Sequence, residues 1–301
     1  MSRATERART AFLRTCALDV LVRKPGNVSV HSAGHGMDAA LFIASAEASA
    51  GPLFVSGARV GQRIEGAVRA TWAVAGCNTN LGILLLCAPV ALALELHPDA
   101  ADPPSLRKAL GSVLRHLDRA DAAAAYRAIA HANPGGLGHA ADQDVHAEPD
   151  VDLRSAMALA ADRDTIAAQY RDDYALVFET VLPSLGPAFD SVFIRACNRA
   201  PAGASSAPAA RTVDAVQCAY LALLAAAPDS HIARKRGLDT ATALMHQARA
   251  WCNRAAPGAV LDADPAFHAW DAALKADGLN PGTSADLLVT GMMLAMLSGP
   301  A

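Results

Sequence analysis

Leu81-Gly82-Ile83-Leu84-Leu85-Leu86-Cys87-Ala88-Pro89-Val90-Ala91-Leu92-Ala93-Leu94-Glu95-Leu96 is the most apolar stretch of the chain and carries no charge until Glu95. It falls short of the roughly 20 residues that a helix needs to span a bilayer. A helix that is hydrophobic on every side and too short for a membrane belongs at the centre of a protein. Pro89 has no N–H and crowds the carbonyl four residues back, so the helix is expected to kink or stop there.

Outward from this stretch the dominant period stays helical. Alanine, the best helix former, is abundant, and alternating β-branched runs are scarce. Val60, Ile64, Ala67, Val68, Trp72 and Ala75 fall on one stripe, with Arg59, Arg63 and Arg69 largely off it. Residues 105–131, 151–181, 211–227, 238–254, 264–277 and 283–297 also read as helices. The fold class that follows is all-α: a single multi-helix globular domain over 1–301 with a buried central helix. Two breaks interrupt the pattern. Residues 133–150, opening with Asn133-Pro134-Gly135-Gly136-Leu137-Gly138-His139, are too rich in Gly, Asp and His for a core element and read as a functional loop or lid. Residues 200–210 read as a Pro/Ala/Ser connector.

The composition fits a metabolite-binding protein. The chain has 301 residues, is 52% hydrophobic and 18% charged, and has a formal net charge of -3, which argues against nonspecific nucleic-acid binding and leaves room for a local basic pocket. Cys16, Cys77, Cys87, Cys197, Cys218 and Cys252 form no C-x-x-C pair, and several sit in apolar runs, as reduced cysteines of a cytoplasmic protein would. The Arg-rich N-terminus has no apolar segment behind it and does not read as a secretory signal. No membrane partner is expected. Helical chains of this kind often form homo-oligomers, but no exposed heptad seam argues for one.

Polar residues gather in a few loops. Gly76-Cys77-Asn78-Thr79-Asn80-Leu81-Gly82 places two amides and a hydroxyl before the apolar helix, where free N–H groups favour an anion; an ordinary helix cap explains the same residues. Arg23-Lys24-Pro25-Gly26-Asn27 offers cations at a turn, and Asp38 suits a helix cap or a metal-bound carboxylate. His31 and His35 are separated by glycine, so a zinc site carries little weight. Glu65 is either a solvated acid paired with Arg69 at i+4 or a carboxylate directed at a pocket. Asp229-Ser230-His231-Ile232-Ala233-Arg234-Lys235-Arg236 groups an acid, a hydroxyl, an imidazole and three cations, as a basic helix end or a triphosphate site would. Asn280-Pro281-Gly282-Thr283-Ser284-Ala285-Asp286 leads into the last helix with a form common among caps.

Taken together, Lys24-Pro25-Gly26, the His35–Asp38 stretch, Gly76 through Gly82, the Asp229–Lys235 cluster and Pro281 through Leu288 resemble, in order and approximate spacing, the triphosphoribosyl-dephospho-CoA synthase family. The resemblance implies a transferase that uses ATP as co-substrate and Mg²⁺ as metal. The 2′-hydroxyl of dephospho-CoA displaces adenine at the anomeric carbon and leaves an α-linked product. Gly76–Gly82 lacks the basic pair of the citrate-lyase members, and Asn133–Gly138 replaces a Gly-Ala-Arg-Gly-Glu type segment. Both departures are similar to a divergent branch from archaea and one-carbon-metabolising bacteria. That branch implies a related ribosyl or nucleotide transfer toward a tetrahydromethanopterin- or methanofuran-type cofactor. A metal-assisted hydrolase of a nucleotide or N-glycoside needs the same groups, and a noncatalytic nucleotide-binding protein would leave the acids scattered.

On this reading Asp38, Glu65 and Asp286 hold Mg²⁺ or stabilise the oxocarbenium-like centre, with Glu65 also catalytic. Lys24, Arg234 and Lys235 grip the triphosphate. Asn78, Thr79 and Asn80 orient ribose and phosphate, and Asn27 and Ser284 complete the nucleotide contacts. Asp229 or His231 takes the acceptor proton, an imidazole being matched to neutral pH.

Overall fold

Pro89 sits inside an unbroken helix. In a computed structural model, which describes residues 2–138, 142–189, 208–255 and 260–298, the helix Leu81–Leu96 continues past the proline. The donor that Pro89 lacks would have met the carbonyl of Leu85, and the Tyr170 hydroxyl donates to that oxygen at 2.7 Å. One residue on, the Tyr174 hydroxyl donates to Leu86 O at 2.7 Å. Both phenols are fully buried. The helix does not stop at Pro89, and the one carbonyl that proline leaves without its N–H is satisfied by a tyrosine from elsewhere in the chain.

Fourteen α-helices form the described residues, with two isolated bridges, Ser29 to Ser32 and Gly34 to Met37, as the extended pairing. In chain order they are α1 (Arg3–Leu21), α2 (Ala39–Leu53), α3 (Val60–Ala75), α4 (Leu81–Leu96), α5 (Pro103–Arg115), α6 (Arg119–Ala132), α7 (Leu153–Ala160), α8 (Thr165–Arg171) and α9 (Leu182–Ala188). After the residues outside the description come α10 (Ala210–Ala226), α11 (Ser230–Arg236), α12 (Leu238–Arg254), α13 (Pro265–Ala276) and α14 (Gly282–Leu297). The all-α expectation holds. Helix α4 packs against α1, α2, α3, α5, α6, α8 and α14. Of its 16 residues only Leu92, Glu95 and Leu96 are not buried, which makes it the central helix expected. α14 is a second one, apolar on all sides and buried along nearly its whole length.

Two expected helices are divided. Residues 105–131 break after Arg115, because Asp118 starts a new helix by accepting from the N–H of Ala120 and Asp121 while Asp121 returns a bond to the Asp118 N–H. Residues 151–181 break where Asp164 caps α8, and again at Asp173 and Tyr174, both with positive φ, before a π-helical turn over Val177–Val181. Arg63, expected off the buried stripe, is fully buried. Its guanidinium donates to Ala58 O at 2.9 Å and Leu53 O at 3.0 Å and pairs with Glu95. A buried charge with every donor in use is tolerated; one without partners is not.

No helix among the described residues is long and apolar enough to cross a membrane. Five of the cysteines are free thiols, Cys16 and Cys87 buried. Cys197 and residues 200–207 of the expected connector lie outside the described residues, as do His139 to Ala141 of the expected lid.

Candidate active site

A cleft of about 1070 Å³ opens where the starts of α4, α8, α11 and α14 meet the ends of α3 and α6. Helix starts carry unpaired N–H groups and helix ends carry turns, so polar backbone and loop residues collect there. Asp19, near the end of α1, also lines it.

Seven residues singled out in the sequence line this cleft: Asn27, Asn78, Thr79, His231, Arg234, Lys235 and Asp286. Asn78 Oδ1 accepts from the Leu81 N–H at 3.1 Å, and the Thr79 hydroxyl donates to Ser45 Oγ at 2.8 Å. The Gly76–Gly82 run is therefore both a cap and a cleft wall. Arg234 donates to Gly135 O at 3.2 Å and Asp164 Oδ2 at 3.1 Å. Lys235 has no ion-pair partner among the described residues. The loop expected to be functional lies on these cations: a Cβ on Gly135 would come within 2.7 Å of Lys235 Cε, and one on Gly136 within 2.9 Å of Arg234 Cγ. Glycine lets this backbone lie directly on the cationic side chains.

Six others lie elsewhere. Lys24 is fully buried, and its ammonium donates to Asp19 O at 2.7 Å and Asn27 Oδ1 at 2.9 Å and pairs with Asp19 Oδ1 at 3.3 Å. It shapes the cleft floor from behind. Asp38 is exposed and caps α2 through the Leu41 N–H at 2.9 Å. Glu65 receives Arg127 at 2.7 and 3.0 Å and Arg69 at 3.0 Å, and these guanidinium groups hold its carboxyl below the ordinary range. Asn80 accepts from Thr71 Oγ1 at 3.0 Å behind the wall. Of the expected set Asp38, Glu65 and Asp286, Asp286 lines the cleft, while Asp38 caps a helix and Glu65 is held by arginines. No group of three or more His, Cys, Asp or Glu among the described residues is arranged to hold a metal.

The base assignment changes as well. Asp229 is 3% exposed, and both its oxygens are in use. Oδ1 accepts from the N–H of His231 and Ile232 at 3.0 and 3.1 Å, and Oδ2 accepts from Ser284 N and Oγ, both at 2.8 Å. The pair Asp229–Ser284 stitches α11 to α14 behind the cleft, and neither residue reaches it. Burial still pushes the Asp229 carboxyl above its ordinary value, against those donors. His231 lines the cleft with a buried Nε2 that has no partner among the described residues. Burial first, then Lys235, Arg234 and His35, push its imidazole down to about 3, so it is neutral at pH 7 and a weak base in the free protein.

Asp19 is the acid that sequence reading missed. It is 4% exposed, on the buried face of α1 with Leu18 and Val20. A carboxylate inside that apolar stripe, five residues before Lys24, was the available signal. Burial pushes Asp19 up while Lys24 pulls it down. Asp286, half-buried on the first turn of α14, is pushed well above the ordinary carboxylate range by burial and then by Asp19, Asp229 and Asp164, with Arg234 opposing. Burial, with the neighbouring acids added to it, holds the proton on Asp286 and leaves this carboxyl short of positive charge.

An all-α chain whose cleft sets carboxylates beside cationic side chains has the kinds of group that an enzyme acting on nucleotides needs. The family model for CitG, ATP:dephospho-CoA triphosphoribosyl transferase, matches residues 5–301, and the chain belongs to that family. It is accordingly a triphosphoribosyl transferase that uses ATP. The family description names dephospho-CoA as acceptor and lends nothing to a tetrahydromethanopterin- or methanofuran-type acceptor or to hydrolysis. The fold is similar to a crystal structure from Archaeoglobus fulgidus provisionally described as a triphosphoribosyl-dephospho-CoA synthase, at a TM-score of 0.58 and 20% identity, covering 86% of this chain and 98% of that one. No curated protein sequence matches this one.

Proposed function

We propose that this cleft is where the triphosphoribosyl group passes from ATP to dephospho-CoA. The observation that carries the reading is the meeting of Asp19 and Asp286 with Arg234 and Lys235 in one cavity, under a glycine loop that touches both cations.

Arg234 and Lys235 take the triphosphate, and Gly135 and Gly136 keep the loop close enough to cover it. Asp19 and Asp286 fit Mg²⁺ by their chemistry: hard oxygen donors, Asp286 without an ion-pair partner among the described residues and Asp19 paired on one side with Lys24, in a site where a metal ion usually keeps one or two carboxylates and completes its shell with phosphate oxygens and water. Bound there, Mg²⁺ would neutralise the donor phosphates. In the transfer the bond from the anomeric carbon to adenine breaks and one to the acceptor oxygen forms. The proton lost by the acceptor hydroxyl balances the one gained by the departing adenine. The carboxylates face the positive charge that builds on the ribose.

His231 receives the acceptor proton. Two of the charges that depress it, Lys235 and Arg234, are the ones a triphosphate offsets, so substrate binding raises its proton affinity at the moment a base is needed. Asn27, Asn78 and Thr79 orient the sugar and the base. Localisation in the cytoplasm follows from the substrates, and self-association is a further expectation.

The test is mass spectrometry of reactions with ATP, with and without dephospho-CoA. Adenine release that requires the acceptor, with an acceptor mass gain of one triphosphoribosyl unit, supports transfer. Equal adenine release from ATP alone would make the protein a hydrolase.

A further inference from the structure

The lining of the cleft is of two kinds. One is charged or polar, with Asp19, Asp286, Arg234, Lys235 and His231 among its residues. The other is apolar: Met37, ahead of α2, Phe42 on α2, Trp72 near the end of α3 and Ile129 on α6 all line the cavity and are all only half-buried. Large apolar side chains left partly open inside a deep cleft cover nothing in the protein itself, and such surface marks a binding site. The Trp72 ring leans on His131 with centroids 5.0 Å apart at 54°. Its indole N–H has no partner among the described residues, whereas that of Trp270 donates to Gln247 at 2.7 Å. Beside it, Asn78 spends its oxygen on the Leu81 N–H, which leaves its amide NH₂ as an uncommitted donor at the cleft.

A nucleoside triphosphate is divided in the same way, with a flat apolar base at one end and a polyanion at the other. We propose that the wall of Met37, Phe42, Trp72 and Ile129 is a purine-stacking subsite for the base of the donor nucleotide, with the Asn78 amide donating to a ring nitrogen. The assignment rests on the reading of the cleft as the ATP site. With phosphates on Arg234 and Lys235 and ribose at Asp286, a single extended nucleotide lays its base across the cavity on the aromatic side. Aromatic faces accept any base, and the two-ring face of a purine offers them the larger area; the Asn78 donor fixes how the base is turned.

The experiment is calorimetric titration of the whole chain with adenosine, inorganic tripolyphosphate, ATP and dephospho-CoA. It compares the wild type with Trp72→Ala, Trp72→Phe and Trp72→Leu, the leucine filling the site against His131 without an aromatic face. Adenosine and ATP are expected to bind about tenfold or more weakly to the Ala and Leu variants, a loss typical of a removed stacking platform. Tripolyphosphate should bind unchanged, and Trp72→Phe should keep most of the affinity. Unchanged adenosine and ATP affinity in Trp72→Leu overturns the subsite, and weakening of dephospho-CoA alone overturns its assignment to the donor. Wild-type protein that binds adenosine through Trp72 yet releases no adenine with both substrates would fail the transfer reading and leave the subsite standing.

Discussion

Gly82 and Asp286 share one space: a Cβ built on Gly82 would lie 2.6 Å from Ile166 Cδ1 and closer still to Asp286 Oδ2. The first turn of α4 has no side chain there, so the carboxylate of α14 rests directly on its backbone. Glycine in a helix costs about 1 kcal/mol relative to alanine, and here the close approach of Asp286 and Ile166 stands against that preference.

Gly82→Ala is therefore expected to destabilise, although it improves helix propensity. Overpacking of this kind costs about 1–3 kcal/mol. A urea midpoint equal to or above that of the wild type would show that Asp286 can move aside.

Asp286 sets a pH dependence whose sign is opposite to that of a paired acid. Its folded pKa lies above the unfolded value, so the native state holds the proton longer. The stability it supports is present below about pH 4 and is lost as pH rises through the folded pKa. Asp286→Asn should flatten that decline and melt higher than the wild type above the window, while abolishing transfer. Mg²⁺ should raise the wild-type melting temperature and leave the variant unmoved. A steeper decline in the variant, followed by thermal melts from pH 4 to 9, would contradict this account.

His231 behaves in the reverse sense. Its folded pKa of about 3 lies below the unfolded value, so the native state is favoured above about pH 6.5 and that contribution is lost as pH falls toward 3. His231→Gln should remove this part of the acid sensitivity and lower kcat by about 10²–10⁴, the usual worth of a general base. Retained kcat with an unaltered pH–rate profile would take the imidazole out of the chemistry.

Asp229→Asn tests the opposite assignment, that of a stitch. Four donors face its two oxygens, and an amide turns one acceptor into a donor aimed at donors. A loss of about 1–3 kcal/mol per unsatisfied group is expected, with the pH–rate profile of the remaining folded enzyme unchanged. A shifted profile would return Asp229 to the proton-transfer path.

Tyr170→Phe should cost about 1 kcal/mol, the net worth of a buried hydrogen bond. The cost should shrink in a Pro89→Ala background, where the residue 89 N–H reaches Leu85 O. Equal costs in the two backgrounds, measured as a double-mutant cycle, would separate the tyrosine from the proline.

Much of the fold can be read from the chain because it depends on local periodicity. α3, α10, α12, α13 and α14 lie within a residue or two of where their patterns place them. The uninterrupted α4 could not be read, since the partner of its orphaned Leu85 carbonyl sits 85 residues away. The lining of the cleft was legible where glycines or cations cluster in sequence, as around Gly135 and around Arg234. It was illegible where an acid's role depends on tertiary neighbours. Asp38, Glu65 and Asp286 are equally acidic in sequence. Only packing separates a helix cap, an arginine-bound carboxylate and a carboxylate left facing the cavity. Asp19 was hidden because an acid in an apolar helical stripe has no motif of its own.

The consecutive left-handed residues Asp173 and Tyr174, followed by a π-helical turn, aim the second phenol at Leu86 while the first still reaches Leu85. A left-handed conformation at tyrosine is sterically costly and survives only where its surroundings enforce it. Solvent-facing loops tolerate added or lost residues at little cost, but gaining or losing one residue between positions 171 and 177 would swing the anchor off its carbonyl. Length variation among descendants of this chain should therefore stop at that short segment.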